Sequence, residues 1–201
     1  GMKAWAQKTG KILLNQNERL KCIFERFGVT KQSICEVYVE LILPSFHKIP
    51  EENRMIHLKY IRDTLLRYSS EYDNEQKRLI NALKKVPFIP QSDGSYKLAS
   101  CYLSPFNNFM TVMCEDQSRF PPEPFCSWDW KKFMTLVGMQ TEVTTDLFLE
   151  FALQQQSQGR HGLSEDLEKK SKCLFQHLLN SPELHTSDFL QQISNIKCIV
   201  P

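Results

Sequence analysis

Seven cysteines and five histidines are the side chains of this 201-residue sequence that could act as nucleophiles or metal ligands. Cysteine catalysis needs a thiolate held beside a histidine, and structural zinc usually takes paired ligands such as Cys-x-x-Cys. The cysteines are scattered and form no such pair: Cys22, Cys35, Cys101, Cys114, Cys126, Cys173 and Cys198. Cys101, Cys114 and Cys126 could hold zinc only if a distant group such as His161 supplied a fourth ligand. We therefore expect buried, unreactive thiols, no catalytic residue and no metal site.

Asp93 and Gly94 could begin a metal or phosphate loop, but their surroundings favour a simpler structure. They separate a proline-bounded apolar run from an alternating return through Tyr96 and Leu98. An Asp-Gly pair between such runs is the usual sequence of a hairpin turn. The sequence thus predicts a β-hairpin within residues 86–100, with a positive φ at Gly94.

The proline-rich segment 119–125 contains a P-x-x-P motif, Pro121 to Pro124, with Arg119 upstream. Such a motif can bind SH3 or WW domains as a polyproline helix. Four bulky aromatic residues accompany it, which a free ligand seldom carries: Phe120, Phe125, Trp128 and Trp130. We favour a rigid surface connection whose aromatic residues pack on the body, and keep Arg119, Pro121 and Pro124 as a candidate protein-contact loop.

Apolar residues at helical spacing predict a chain that is mostly α-helical. The predicted helices are 11–27, 32 to a stop at Pro44, 51–72, 74–85, 106–113, 127–137, 145–158, 164–180 and 187–194. The last four each open near a Ser or Thr that could cap them. The alternating charges of 165–172 predict a solvated helix face, and the chain ends in a strand-like segment.

The second half of the sequence matches the first at an offset of 110 residues. Gly28, which stands where the first helix needs a left-handed residue, falls on Gly138, and residues 36–41 fall on 146–151. Few matched positions are identical, so chance similarity between helices is the alternative. We interpret the pattern as an α+β, predominantly α-helical fold with two tandem helical modules, 2–104 and 105–201, each closed by a small β-element. The second copy is truncated and packs against the first.

Residues 88–105, FIPQSDGSYKLASCYLSP, resemble the F-I-P-x-x-D-G-x-x-x-x-A/P-S-x-L-Y-D-P signature of the internal repeat regions of the sacsin family. The helical spacers on both sides are similar too, so the resemblance spans about residues 2–201. Ser104 stands where the signature has Asp, and a serine can replace it in a turn hydrogen bond. The motif residues are Phe88, Ile89, Pro90, Asp93, Gly94, Tyr102 and Pro105.

This resemblance implies a segment of a large co-chaperone that combines Hsp90-like ATPase repeats, a ubiquitin-like domain, a J domain and a nucleotide-binding helical domain. The diagnostic D-x-G-x-G turn and His-Pro-Asp motif are missing from this sequence. The resemblance therefore implies a non-catalytic architectural or protein-interaction segment without a cofactor. The alternative is a middle-segment-like part of an Hsp90-type ATPase machine that assists a neighbouring nucleotide-binding domain.

The charge balance narrows the classes of partner. Twenty-five Lys and Arg against 23 Asp and Glu give a net charge of only +2, which disfavours nucleic acid and anionic membranes. We expect the partners to be other domains of the same polypeptide, chaperones or their clients, in the cytoplasm. The Gly1-Met2 start is typical of tag removal, so we expect a piece of a longer protein. The sequence leaves the oligomeric state open.

Overall fold

The computed structural model describes residues 33–67, 72–160 and 164–197. Within these ranges the chain is mostly helical, as predicted, with one small antiparallel sheet. The α-helices are α1 Ile34–Val37, α2 Glu51–Arg67, α3 Asn74–Leu83, α4 Asn108–Met113, α5 Trp128–Leu136, α6 Thr145–Gly159, α7 Glu165–Asn180 and α8 Ser187–Ser194. The predicted helix 11–27, Gly28 and residues 198–201 of the predicted terminal strand lie outside the described residues, as do Cys22 and His161.

The first described helix changes its winding and is kinked next to Pro44. A capping box between Ser33 and Glu36 opens α1, which continues as a π-helical segment, Tyr38–Ile42, and a 3₁₀ helix, Leu43–Lys48. Pro44 lies in the first turn of the 3₁₀ helix, where a missing N–H breaks no bond, and the next residue, Ser45, has a non-helical φ of −111° and ψ of 16°. The helical run is therefore interrupted at the predicted place, although 3₁₀ winding continues beyond it. Burial raises the pKa of Tyr38 to about 12. Its hydroxyl lies 3.0 Å from Nδ1 of His57 on α2.

The predicted hairpin is confirmed. Strands β1, Ile89–Pro90, and β2, Tyr96–Lys97, pair antiparallel with Ile89 opposite Lys97. Gly94 has a φ of 80° at the turn, which a residue with a Cβ rarely adopts. The Asp93 carboxylate accepts a hydrogen bond from the Ser95 amide at 2.9 Å. Hydrogen bonds with the side chain and then the amide of Ser95 lower the pKa of Asp93.

Helix caps mostly follow the sequence. Thr144, Ser164 and Thr186 each accept a hydrogen bond from an amide in the first turn of α6, α7 and α8. Ser127 does not cap α5, because its hydroxyl donates to the carbonyl of Pro124 at 2.8 Å. The final turn of α5 closes as predicted on Gly138, whose φ is 107°.

The buried side chains form two clusters. The first cluster draws on residues 35–102 and 125–139, and the second on residues 103–114 and 147–189. Helix α5 packs against α2 in the first cluster, while α4 and α6 pack against α7 in the second. The two tandem modules and the division at residue 104 stay predictions.

We expect Gly138→Ala to lower the free energy of unfolding by about 1 kcal/mol or more. A Cβ at Gly138 would make only ordinary contacts, 3.8 Å to Ser100 and 4.0 Å to Lys84, so the cost comes from the positive φ. The control is Gly159→Ala at the end of α6, where an added Cβ would meet Leu167 at 3.7 Å and alanine favours the helix. Urea unfolding measures both variants. Equal stability of Gly138→Ala and the parent would contradict the assigned turn.

Candidate protein-interaction groove

A cavity of about 480 Å³ lies between the hairpin and the proline-rich segment. It brings together residues that the sequence placed in two separate motifs. Pro90, Tyr102 and Pro105 of the hairpin motif line one side, and Phe120 and Pro121 line the other. The groove residues include prolines, aromatic rings and uncharged polar groups, which is the chemistry of a surface for an uncharged peptide.

The remaining motif residues lie away from the groove. Phe88 and Ile89 are buried in the first cluster, where Phe88 packs against Phe125 and Phe133. Asp93 and Gly94 are exposed at the tip of the hairpin. Phe88 and Ile89 therefore anchor the hairpin in the core, and Asp93 and Gly94 form its turn.

Tyr102 forms the floor of the groove and is only 1% exposed. Its hydroxyl is hydrogen-bonded to the side-chain amide of Gln91, which also donates to the carbonyl of Pro90 at 3.0 Å. Burial raises the pKa of Tyr102, so this hydroxyl is protonated at neutral pH. The tyrosine thereby fixes the hairpin against the body of the protein.

Residues 102–104 carry the chain from one cluster to the other, and we name them the crossover. Tyr102 belongs to the first cluster and Leu103 to the second. The Leu103 amide donates to the carbonyl of Arg119 at 2.8 Å. The Ser104 amide donates to the carbonyl of Gln140 at 2.8 Å, and the Gln140 amide donates to Tyr102 at 3.0 Å. Three backbone hydrogen bonds therefore join the crossover to the proline-rich segment and to the residues after α5.

Ser104 performs the turn role that the resemblance assigned to an aspartate. Its hydroxyl accepts a hydrogen bond from the Phe106 amide at 3.3 Å, and its carbonyl accepts one from Asn107 at 3.2 Å. Ser104 is buried, so these bonds satisfy a polar side chain that would otherwise be costly to bury.

The proline-rich segment is bent. Residues Gln117–Arg119 form a 3₁₀ turn, and the Phe125 amide donates to the carbonyl of Pro122 at 2.9 Å, which closes a second turn. Pro121 and Phe125 are buried. The expected packing of the neighbouring aromatic residues holds for Phe125 and Trp130 but not for Trp128, which is 72% exposed.

Arg119 is held by helix α6. Its guanidinium contacts both carboxylate oxygens of Glu150, at 2.5 and 3.3 Å, and lies 5.9 Å from the ring centre of Phe151. The side chain therefore ties the proline-rich segment to the second cluster, and Pro121 alone of the candidate contact loop lines the groove. A protein-contact role for Arg119, Pro121 and Pro124 stays a prediction.

A buried lysine lies on α7, where the sequence predicted only a solvated helix face. The side chain of Lys170 on α7 is 8% exposed and pairs with Glu115 and, at 2.8 Å, with Asp166. Gln158 of α6 donates to Glu115 at 2.9 Å. Burial lowers the pKa of Lys170, but its hydrogen bonds to Asp166 and Glu115 outweigh this effect and leave the pKa raised. The bond to Lys170 is also the main reason that the pKa of Glu115 is lowered.

We expect Glu115→Gln to lower the free energy of unfolding by about 1 kcal/mol at neutral pH, because Lys170 loses a charged partner. Because the pKa of Glu115 is lowered in the folded state, its carboxylate stabilises the fold at pH values above 4.5, the ordinary pKa of the group. This stabilisation is lost as the pH falls through the pKa of Glu115 in the folded state. Because the pKa of Lys170 is raised in the folded state, its ammonium group stays charged at all pH values below 10.5, the ordinary pKa of a lysine. Urea unfolding of both proteins should thus show a constant difference from pH 6 to 9 that shrinks below pH 4.5. A difference that stays constant in acid would contradict the pair, and Glu183→Gln is the exposed control.

The cysteines follow the sequence expectation in part. Burial raises the pKa of the thiols of Cys35, Cys114, Cys126 and Cys173, which makes them poor nucleophiles at neutral pH. Of the described cysteines, Cys35 and Cys114 are buried, Cys126 and Cys173 are half-buried, and Cys101 is exposed. Among the described residues, no group of three or more His, Cys, Asp or Glu side chains is placed to hold a metal ion. In the same parts of the chain, no helix is long and apolar enough to cross a membrane.

Sequence reasoning missed two features of the site. Gln140 forms an isolated β-bridge with Leu103 of the crossover, which lies 37 positions earlier in the chain. No local sequence pattern encodes such a pair. Lys170 was missed because a lysine among alternating charges usually faces solvent. A signal for Lys170 does exist, since Leu167 and Leu174 place it on the apolar side of α7.

Human sacsin is similar to this chain, with 20% identity over 214 aligned residues that cover 98% of the chain. The chain spans only 5% of the length of that relative. No family model matches the chain, and no solved structure matches it. The similarity supports a sacsin-like relationship, in agreement with the resemblance of residues 88–105.

Proposed function

We propose that the chain is a non-catalytic architectural and protein-interaction segment of a large sacsin-like co-chaperone. The observation that carries this proposal is the crossover, where two buried clusters meet at consecutive residues and three backbone hydrogen bonds hold the junction. A junction of this kind fixes the position of one helical unit relative to the next. That is the property required of a spacer between domains.

Matched burial supports the interpretation as two repeated units. Tyr38 and Phe148 occupy corresponding positions at the offset of 110, as do Leu79 and Phe189, and all four are buried. Helices α1 and α3 pack together, and so do their counterparts α6 and α8. Leu65 and Phe175 depart from the pattern, since Leu65 is buried and Phe175 is exposed.

The groove supports the interaction part of the proposal. Its prolines and aromatic rings offer apolar surface without charge, and Gln91, Ser92 and Gln117 provide hydrogen-bonding groups on its walls. The natural occupant is an extended apolar segment from another domain of the same polypeptide. The rigid floor at Tyr102 reduces the cost of ordering the groove when such a segment binds.

An ATPase assay tests the non-catalytic part of the proposal. A cavity of about 670 Å³ has three basic side chains on its walls that a nucleotide could contact, namely His47, Arg78 and Lys85. We expect no ATP hydrolysis by the chain and no stimulation of an Hsp90-like ATPase domain added in trans. Hydrolysis or stimulation that Arg78→Ala or Lys85→Ala abolishes, in folded variants, would overturn the proposal in favour of the ATPase-assisting alternative.

A further inference from the structure

An exposed aromatic surface lies at the start of α5, outside the groove. Trp128 is 72% exposed, and its ring centre lies 4.5 Å from that of Phe106. The ammonium group of Lys131 lies 4.4 Å from the ring centre of Trp128 and 5.1 Å from that of Phe106. We name Phe106, Trp128, Lys131 and Lys132 the Trp128 surface.

The Trp128 surface borders a shallow cavity of about 360 Å³ along the outer face of α5. The cavity is lined by Trp128, Lys131, Lys132, Thr135 and Leu136, and none of these residues is acidic. The spacing of 128, 131, 132 and 135 places their side chains on one face of the helix. Two lysines and a tryptophan are therefore presented together, on a rigid element whose opposite face carries the buried Trp130 and Phe133.

The energetics of this surface favour a binding role. An exposed tryptophan ring does not contribute the free energy that burial of its apolar surface would give. Tryptophan is also enriched among the residues that contribute most to the binding energy of protein interfaces. Its contacts with Phe106 and Lys131 hold the ring in place before any partner arrives, which lowers the entropy lost on binding. An anionic group that pairs with Lys131 or Lys132 would lie directly beside the exposed ring.

We propose that the Trp128 surface binds an acidic protein segment that carries an apolar anchor residue. The anchor residue packs on Trp128, and flanking carboxylates pair with Lys131 and Lys132. Charge complementarity selects this partner, since the cavity walls carry two positive charges and no negative one. The small number of lysines and the net charge of +2 favour a protein segment over nucleic acid, which needs a broad basic face. This inference concerns a surface separate from the groove and goes beyond the proposed function.

Fluorescence anisotropy tests the proposal with a defined probe, a fluorescein-labelled peptide of Asp and Glu residues around a central Leu-Phe pair. We expect saturable binding to the full chain, weakened by added salt because the paired charges are screened. Trp128→Ala should weaken the affinity by about tenfold or more, and Lys131→Gln with Lys132→Gln should weaken it and reduce the salt dependence. The exposed Ile56→Ala is the matched control and should bind like the parent.

Several outcomes would overturn the proposal. They are the absence of saturable binding, an unchanged affinity of Trp128→Ala, equal binding of a peptide in which every acidic residue is replaced by lysine, and tighter binding of single-stranded RNA. If analytical ultracentrifugation shows that the chain self-associates and that Trp128→Ala abolishes this association, the Trp128 surface binds a second copy of the chain. That result would also overturn the proposal. Circular dichroism verifies that each variant is folded. Failure of peptide binding with cooperative unfolding intact would leave the architectural function standing, so the two proposals fail separately.

Discussion

Tyr102→Ala is expected to lower the free energy of unfolding by about 4 kcal/mol. The side chain is almost fully buried in the first cluster, so its removal costs apolar burial and leaves a cavity. The substitution also removes the hydroxyl partner of Gln91 and so loosens the hairpin. Because Tyr102 is the first residue of the crossover, the damage falls where the two clusters meet.

Tyr102→Phe separates the hydroxyl from the ring. It keeps the buried ring and removes only the hydrogen bond to Gln91, so we expect a loss of about 1 kcal/mol. Urea unfolding followed by far-UV circular dichroism measures both variants. If the free energy of unfolding of Tyr102→Ala lies within about 1 kcal/mol of the parent value, the substitution behaves like one at the surface. That result would contradict the role assigned to this residue.

Phe148→Ala is expected to have a similar effect in the second cluster, a loss of about 4 kcal/mol. The ring is 1% exposed and lies parallel to Phe109 at 5.8 Å between ring centres. It also meets Phe189 edge-on at 5.5 Å and lies 6.0 Å from the ring of His177. Removal of Phe148 therefore takes the centre out of an aromatic stack, and neighbouring side chains cannot refill the space without shifting helices.

The matched control for Phe148→Ala is Phe175→Ala on α7. Phe175 is 45% exposed, so the same change of side chain should cost less than about 1 kcal/mol. Thermal and urea unfolding of both variants give the comparison. Equal losses at the two positions would mean that the second cluster does not have the core assigned to it.

Local sequence patterns predicted the features that short-range interactions determine. The Asp93-Gly94 turn, the caps of α6 to α8 and the glycine after α5 each depend on residues within five positions of one another. The same local reasoning located the kink next to Pro44 but not the switch from π-helical to 3₁₀ winding that precedes it.

Long-range packing determined the rest of the candidate site. The bend at Pro122 and Phe125 follows from burial of the phenylalanine ring against Phe88 and Trp130, which a P-x-x-P pattern does not encode. The bridge between Leu103 and Gln140 depends on the approach of distant segments. Lys170 is buried because Glu115 reaches α7 from the loop after α4, a contact between residues 55 positions apart. Sequence alone therefore located the motif residues of the groove but not the contacts that assemble it.

The most direct measurement of the central claim is whether the two clusters unfold together. Trp130 lies in the first cluster, so replacement of Trp5 and Trp128 by phenylalanine makes tryptophan fluorescence report on that cluster alone. Phe148→Ala is then added in the second cluster, and urea unfolding is followed by fluorescence and by far-UV circular dichroism. If the crossover couples the clusters, both signals shift together to the same lower midpoint. A Trp130 transition that stays at the parent midpoint while circular dichroism splits into two steps would contradict an architectural junction at residues 102–104.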